Sequence, residues 1–330
     1  MSPWSNAVAA IVVLITVAPK AGADFVPGHI YVAATSPEGC FLPFYANDRV
    51  WDINPVTGES SILGEVPDEM CGFMQDVDFT PDGTGLRTAE RFTNTVLEFN
   101  GDGDVSVALR ASDGLMKPES MAYDAQGNLY VTVVSPPRIL KFATDGGAAT
   151  VFADESDGVG STGPLAFGSD GNLYYANVSP GHILRFSPDG EGELFDTVAG
   201  AILSLTADTQ GHLFVLTGGL FRYDVADPDS QELIASDFFS GSFPASITMS
   251  FDQGSVYVAA DDRVLAIDAL NGGVSLVAEV PVDPLAVSWF GTGVAVYVPE
   301  PSGLAGSLVA AAWLCLRRPT RKAGRSSSSN

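Results

Sequence analysis

Residues 121–142 read MAYDAQGNLYVTVVSPPRILKF, and residues 165–186 read LAFGSDGNLYYANVSPGHILRF. Each stretch holds three short apolar runs joined by turns. Asp124-Ala125-Gln126-Gly127 and Gly168-Ser169-Asp170-Gly171 are tight-turn sequences: Asp bonds its own backbone and Gly accepts positive φ. The runs are rich in β-branched and aromatic side chains and too short for helices, so they read as strands. The third run recurs six times: RVWDI (49–53), TVLEF (95–99), RILKF (138–142), HILRF (182–186), GLFRY (219–223) and RVLAI (263–267). Successive copies lie 37 to 46 residues apart. A period near 40 with strand content signals stacked or radial β units.

Each copy is preceded by another strand, as in HIYVAA (29–34) and SVYVAA (255–260), and followed by a fourth, as in SSILGEV (60–66) and VSLVAEV (274–280). A short first strand precedes these: VDF (77–79), MAY (121–123), LAF (165–167), LTA (205–207) and ITM (247–249). The first unit lacks one, and LAV (285–287) supplies it from the other end. These features predict an all-β, six-bladed β-propeller over residues 24–298, closed by both termini so that no blade keeps an open inner edge. A seven-bladed ring is the structural alternative. VAVYV (294–298) is left over, as an extension of the closing strand, an edge cover or a sign of another register.

The ends read as addresses. Residues 7–18 (AVAAIVVLITVA) form an apolar run too short for a comfortable membrane span, followed by the small-x-small site Ala21-Gly22-Ala23. A cleavable signal peptide over 1–23 is expected, although its first six residues carry no Lys or Arg. At the other end, Val298-Pro299-Glu300-Pro301 precedes an apolar segment (303–316) and a basic cluster of Arg317, Arg318, Arg321, Lys322 and Arg325. Proline breaks a helix before the apolar segment, and the cations hold the tail on the cytoplasmic side. This three-part tail resembles the PEP-CTERM sorting signal. The resemblance implies an exosortase-type sorting enzyme as partner, a C-terminal membrane helix, and an exported protein of the envelope or extracellular matrix.

The DAQG and GSDG turns, with TPDG (80–83) and DTQG (208–211), resemble those of NHL-type and gluconolactonase-like propellers. The fold hosts many activities, so the resemblance speaks for architecture more than for chemistry. In gluconolactonase-like enzymes metal ligands precede the innermost strands. Carried over, that position falls on Gln75, Glu119, Gly163, Leu203, Ala245 and Asp283. Gln75, Glu119 and Asp283 would offer two carboxylates and an amide oxygen to a hard cation such as Ca2+. The family's Asn-Gly pair is replaced here by Glu119-Ser120 and Gly163-Pro164.

All 40 carboxylates lie between Asp24 and Glu300, against 10 basic residues, a formal charge of −30 for that stretch. A polyanion such as nucleic acid is excluded as a partner of this surface. Cys40 and Cys71 fall on one face, in a loop and a linker of neighbouring blades. Export permits a disulfide between them, the alternative being two independent buried thiols. Asn100-Gly101-Asp102-Gly103-Asp104 looks like the start of a calcium loop, but position six is Val105 and position twelve Ala111, so a hairpin turn is expected. His182 lies on the loop face without an evident partner. No catalytic motif stands out. The expected function is a non-enzymatic exported propeller that binds a glycan, small molecule or protein through its loop face. The alternative is a metal-dependent enzyme of lactonase or lyase type.

Overall fold

The computed structural model describes residues 24–35, 48–67, 70, 73–144, 148–160, 163–178, 181–238, 245–260, 262–280 and 290–298. The strand runs pair in fours, as their alternation requires. Blade 1 holds β1 (Ile30–Thr35), β2 (Arg49–Ile53) and β3 (Ser60–Glu65). Blade 2 is β4 (Met74–Phe79), β5 (Leu86–Glu90), β6 (Thr95–Phe99) and β7 (Val105–Leu109). Blade 3 is β8 (Pro118–Tyr123), β9 (Leu129–Val134), β10 (Pro137–Phe142) and β11 (Thr150–Asp154). Blade 4 is β12 (Leu165–Phe167), β13 (Leu173–Ala176), β14 (His182–Phe186) and β15 (Gly192–Thr197). Blade 5 is β16 (Ser204–Ala207), β17 (His212–Leu216), β18 (Gly219–Asp224) and β19 (Asp227–Ser236). Blade 6 is β20 (Ala245–Met249), β21 (Ser255–Ala260), β22 (Arg263–Asp268) and β23 (Val274–Glu279). The last strand, β24 (Phe290–Val296), returns to blade 1 and pairs antiparallel with β1 as its innermost strand. The molecule is a six-bladed β-propeller with the expected closure by both ends.

One assignment needs correction. The closing strand is Phe290–Val296, not LAV at 285–287, which lies outside the described residues. VAVYV is thus mostly the closing strand itself. Gly291 and Gly293 make this stretch look like a turn, but a Cβ on Gly293 would sit 2.7 Å from the Val77 amide nitrogen of blade 2. Glycine is there for close backbone approach, not for a turn. Around the joint, Gly28 N–H donates to Tyr297 O (2.9 Å) and Tyr297 N–H to His29 O (3.2 Å). Phe25, Tyr31, Phe79 and Tyr297 pack edge-on and tilted, with centroids 4.9–5.7 Å apart, clasping both ends to blades 1 and 2.

The core is divided. Each of six hydrophobic clusters fills one interface between neighbouring blades, for example Leu86, Leu97 and Phe99 against Tyr31 and Ala33. The third strand supplies these interfaces on both faces, so its sequence repeats most visibly. A β-bulge recurs between third and fourth strands, directly after Val50, Val96, Ile139, Ile183, Leu220 and Val264. It twists the outermost strand and spoils it as a template for edge-to-edge pairing. Hairpin glycines of the next blade press against the bulged carbonyls. A Cβ on Gly103 would lie 1.9 Å from Leu63 O, and one on Gly272 1.9 Å from Ile234 O.

The segment 100–104 is a hairpin turn, as expected: Asn100 Oδ1 accepts from the amides of Asp102 (3.0 Å) and Asp104 (2.9 Å). The expected signal peptide (1–23), the sorting motif Pro299-Glu300-Pro301, the apolar segment 303–316 and the basic cluster lie outside the described residues, as do Cys40, Cys71 and Asp283. Val298, where that motif begins, is exposed. Among the described residues no helix is long and apolar enough to cross a membrane.

Candidate functional site

The six innermost strands line a central channel of about 640 Å³. Cross-strand pairing aligns them residue by residue. Val77, Met121, Leu165, Leu205, Ile247 and Val294 are equivalent, each opposite the third residue of the neighbouring strand's common run. The residues on either side of this position give Ser120 and Ala122, Pro164 and Ala166, Ser204 and Thr206, Ser246 and Thr248, Gly293 and Ala295. Blade 2 alone has carboxylates at both, Asp76 and Asp78.

The position before the aligned residue has a structural task. In blades 2, 3 and 5 its side chain reaches the next blade and accepts that blade's amide. Ser120 Oγ accepts from Leu165 N (3.0 Å), Ser204 Oγ from Ile247 N (3.2 Å), and Asp76 Oδ2 from Met121 N (2.9 Å). Ser120 Oγ also donates to Asp76 Oδ2 (2.7 Å). At the closing blade this position is Gly293, which has no acceptor to offer Val77. Asp76 fills the gap with its other oxygen, Oδ1, which accepts from Val77 N (2.9 Å). A serine cannot do both jobs.

Asp78 has no such task. Its Oδ1 accepts from Phe79 N (2.8 Å) and bridges no blades. Burial and the neighbouring Asp76 charge push its pKa up to about 7, against the partial relief of the Phe79 amide. Burial pushes Asp76 up to about 6, opposed by Met121, Ser120 and Val77. Across the interface, Tyr123 OH accepts from Arg87 Nη1 (3.0 Å), while Arg87 Nε donates to Glu98 (2.7 Å). Arg87, directly across from Asp78 on β5, is thus committed to Tyr123 and Glu98.

Glu119 and Gln75, both expected at the site, line this wall two positions before the aligned residue. Glu119 is ion-paired to Arg91, and its side chain is 11% exposed. Burial raises its pKa to about 7, with Arg91 and then Lys117 opposing. Gln75 Nε2 is buried without a hydrogen-bond partner, an unsatisfied donor in the channel wall. At the same position in blade 4 a Cβ on Gly163 would meet Ala176 O at 2.0 Å, so no side chain fits there. With the closing strand placed nine residues later, the position expected for Asp283 belongs to Thr292, which carries no carboxylate. Asp283 itself lies outside the described residues, so of the expected three residues Gln75 and Glu119 are placed on this wall. Among the described residues no group of three His, Cys, Asp or Glu side chains is placed to hold a metal. With Glu119 paired to Arg91, this wall does not fit a hard cation held as in gluconolactonase-like enzymes.

The remaining candidates are structural. His29 Nδ1 lies 2.7 Å from Asp52, and His212 Nδ1 2.7 Å from Asp208, both at the ends of second strands. His182 opens β14. Asp76, Asp78 and Arg91 are the site residues that motif reading misses. The available signal is the triplet Asp76-Val77-Asp78 where other blades read SMA, PLA, SLT, SIT and GVA.

No family model and no curated protein matches the chain. Solved structures share its fold. A chain from a nidogen/laminin complex superposes with a TM-score of 0.66 at 15% identity, covering 82% of this chain and 99% of that one. A gluconolactonase from Xanthomonas campestris gives 0.54 at 17%, covering 64% and 75%. Virginiamycin B lyase from Staphylococcus aureus, with quinupristin, gives 0.53 at 14%, covering 71% and 78%. At these identities the likeness concerns the fold alone.

Proposed function

We propose that this chain is an exported propeller of the cell envelope or extracellular matrix, that it binds a ligand or partner at its central channel, and that an exosortase-type enzyme sorts it through residues 299–330. The observation that carries the binding reading is the channel's asymmetry. One wall bears all the charged lining groups, Asp76, Asp78, Glu119 and Arg91, with Gln75, while the facing wall is neutral, with Leu203, Leu205, Ala245 and Ile247 beside Ser204, Thr206, Ser246 and Thr248. A concave apolar site with a few convergent polar groups is the usual form of a small-molecule pocket. One fold neighbour comes from a nidogen/laminin complex, so a protein ligand on the loop face is compatible with this architecture. Export rests on residues 7–23, and sorting on Val298-Pro299-Glu300-Pro301, the apolar segment and the basic cluster.

The binding reading is tested by screening the protein for melting shifts against small metabolites and glycans, alongside Ala245→Trp. Ala245 holds the position that Leu203 fills in the preceding blade, so the indole would obstruct the channel. Ligands whose shift disappears in the variant support the reading. Ligands indifferent to it, or none at all, sink it. An epitope placed after Arg325 tests sorting: the tag should be absent from the mature surface protein.

The enzyme reading draws on the gluconolactonase and lyase neighbours and on Gln75 and Glu119 sharing one wall. Because the donor set does not fit a hard cation, no catalytic step is assigned. Stoichiometric Ca2+ in purified protein, lost in Glu119→Ala, would restore this reading over the first.

A further inference from the structure

Asp78 breaks the repeat at a place where the fold asks for a small residue. Ala122, Ala166, Thr206, Thr248 and Ala295 hold the equivalent position in the other blades. Asp76 uses both carboxylate oxygens, one to join blade 2 to blade 3 and the other to hold the Val77 amide, but Asp78 makes one local hydrogen bond. Among the described residues no basic group forms an ion pair with Asp76 or Asp78, and the arginine on the neighbouring strand, Arg87, is committed to Glu98 and Tyr123. A desolvated carboxylate beside a like charge destabilises the fold unless something compensates it. The channel offers the room. Its volume of about 640 Å³ suits a small organic molecule. The ring order sets blade 2 opposite blade 5, where Leu203 and Thr206 offer an uncharged surface to the channel.

We propose that the channel binds a small organic cation, a protonated amine or amidine on a compact apolar body, with its charge on Asp78 and its body against Leu203 and the uncharged wall around it. This deepens the channel-binding reading and rests on it. The charge of −30 carried by residues 24–300 raises the local concentration of such a ligand. Gln75 and Glu119 sit three positions nearer the start of the innermost strands than Asp78 and its equivalent Ala122, and with Arg91 they line the ligand's way along the wall.

The groups around Asp78 set its response to pH. Asp76 lies on its own strand, Arg87 on β5, Glu98 on β6, and Tyr123 and Glu119 on β8. Asp78 and Asp76 must be ionised to hold the cation. Affinity therefore falls as pH drops through about 7 and then about 6.

The test is calorimetric titration of the intact protein with phenethylamine and benzamidine, both protonated throughout, and with 2-phenylethanol as a neutral control. At pH 8 the two cations should bind and the alcohol should not. Asp78→Asn, and separately a shift to pH 5, should each weaken the cations by about tenfold or more, the effect of losing roughly 1.4 kcal/mol. Asp78→Asn removes a buried charge, so its melting temperature at pH 8 should be no lower than that of the parent, which excludes unfolding as the cause. Equal binding of alcohol and amine, no loss in Asp78→Asn, or no binding of either cation overturns the proposal. If the metabolite screen still gives ligands that Ala245→Trp abolishes, the channel remains a binding site and only the cation assignment falls. If the screen is also empty, both fall.

Discussion

Asp76 and Asp78 are two residues apart on one strand, and both have raised pKa values, yet returning each to the residue type of its repeat should have opposite effects. Asp78 binds its proton more tightly in the folded state, at about 7, than the ordinary carboxylate value of 3.8. The folded state therefore holds more protons than the unfolded one between about pH 4 and 7, and stability falls as pH rises through that window. Asp78→Ala should raise the melting temperature at pH 8 and flatten its decline from pH 5 to 8. Each kcal/mol recovered corresponds to about 2–4 °C in a chain of this size. A variant less stable than the parent at pH 8 would show that Asp78 carries a structural bond after all. Asp76→Ser should do the reverse. The hydroxyl still reaches Met121, as Ser120 reaches Leu165, but Val77 N–H loses its acceptor and Gly293 offers none. Leaving that buried donor unpaired costs about 1–3 kcal/mol, read by denaturant titration at pH 5, where repulsion between the two carboxyls is smallest.

Between residues and blades the unit that matters is the bulge and the glycine that meets it. The bulge after Val96 belongs to one blade, while Gly103, in the same blade's outer hairpin, presses on the bulged carbonyl of Leu63 in the blade before. Gly103→Ala should therefore cost much more than the left-handed backbone penalty, because its Cβ would lie 1.9 Å from Leu63 O. Gly171→Ala is the control. It has a similar φ of +79° with nothing within 4 Å, and should cost about 1–2 kcal/mol. Equal losses in the two variants would mean the hairpin yields freely. The strands were legible because each third strand is apolar on both faces and repeats at RVWDI, TVLEF and RILKF. The bulges were not, since an extra residue such as Leu63 or Ile234 keeps the local apolar pattern. The closing strand was misplaced for a related reason. LAV imitates an innermost strand, whereas Gly291 and Gly293 imitate a turn. That slip of nine residues carries Asp283 into a ligand position that, counted back from Val294, falls on Thr292. Glu119 and Gln75 line the channel where their repeat positions put them, whereas no motif names Asp76 or Asp78.

For the whole molecule, the ring has to close before the interfaces of blade 1 with blades 6 and 2 are complete. Blade 1 takes its innermost strand from residues 290–296 and its other three from residues 30–65, so β24 holds the ends of the chain together and also fills the gap between β20 and β4. Two clusters depend on it directly: Val294 and Val296 pack against blade 6, and Ala295 against blade 2. Radial architecture makes this loss nonlocal, since each opened interface exposes the apolar face of the next blade. Ending the chain after Val298 should leave the melting transition unchanged, because the pairing of β24 with β1 and the Gly28–Tyr297 bond both lie before the cut. Ending it after residue 289 should remove the single cooperative transition and expose apolar surface to a hydrophobic dye. If the shorter chain still melted in one sharp step near the parent temperature, closure by β24 would not be what holds the six blades together.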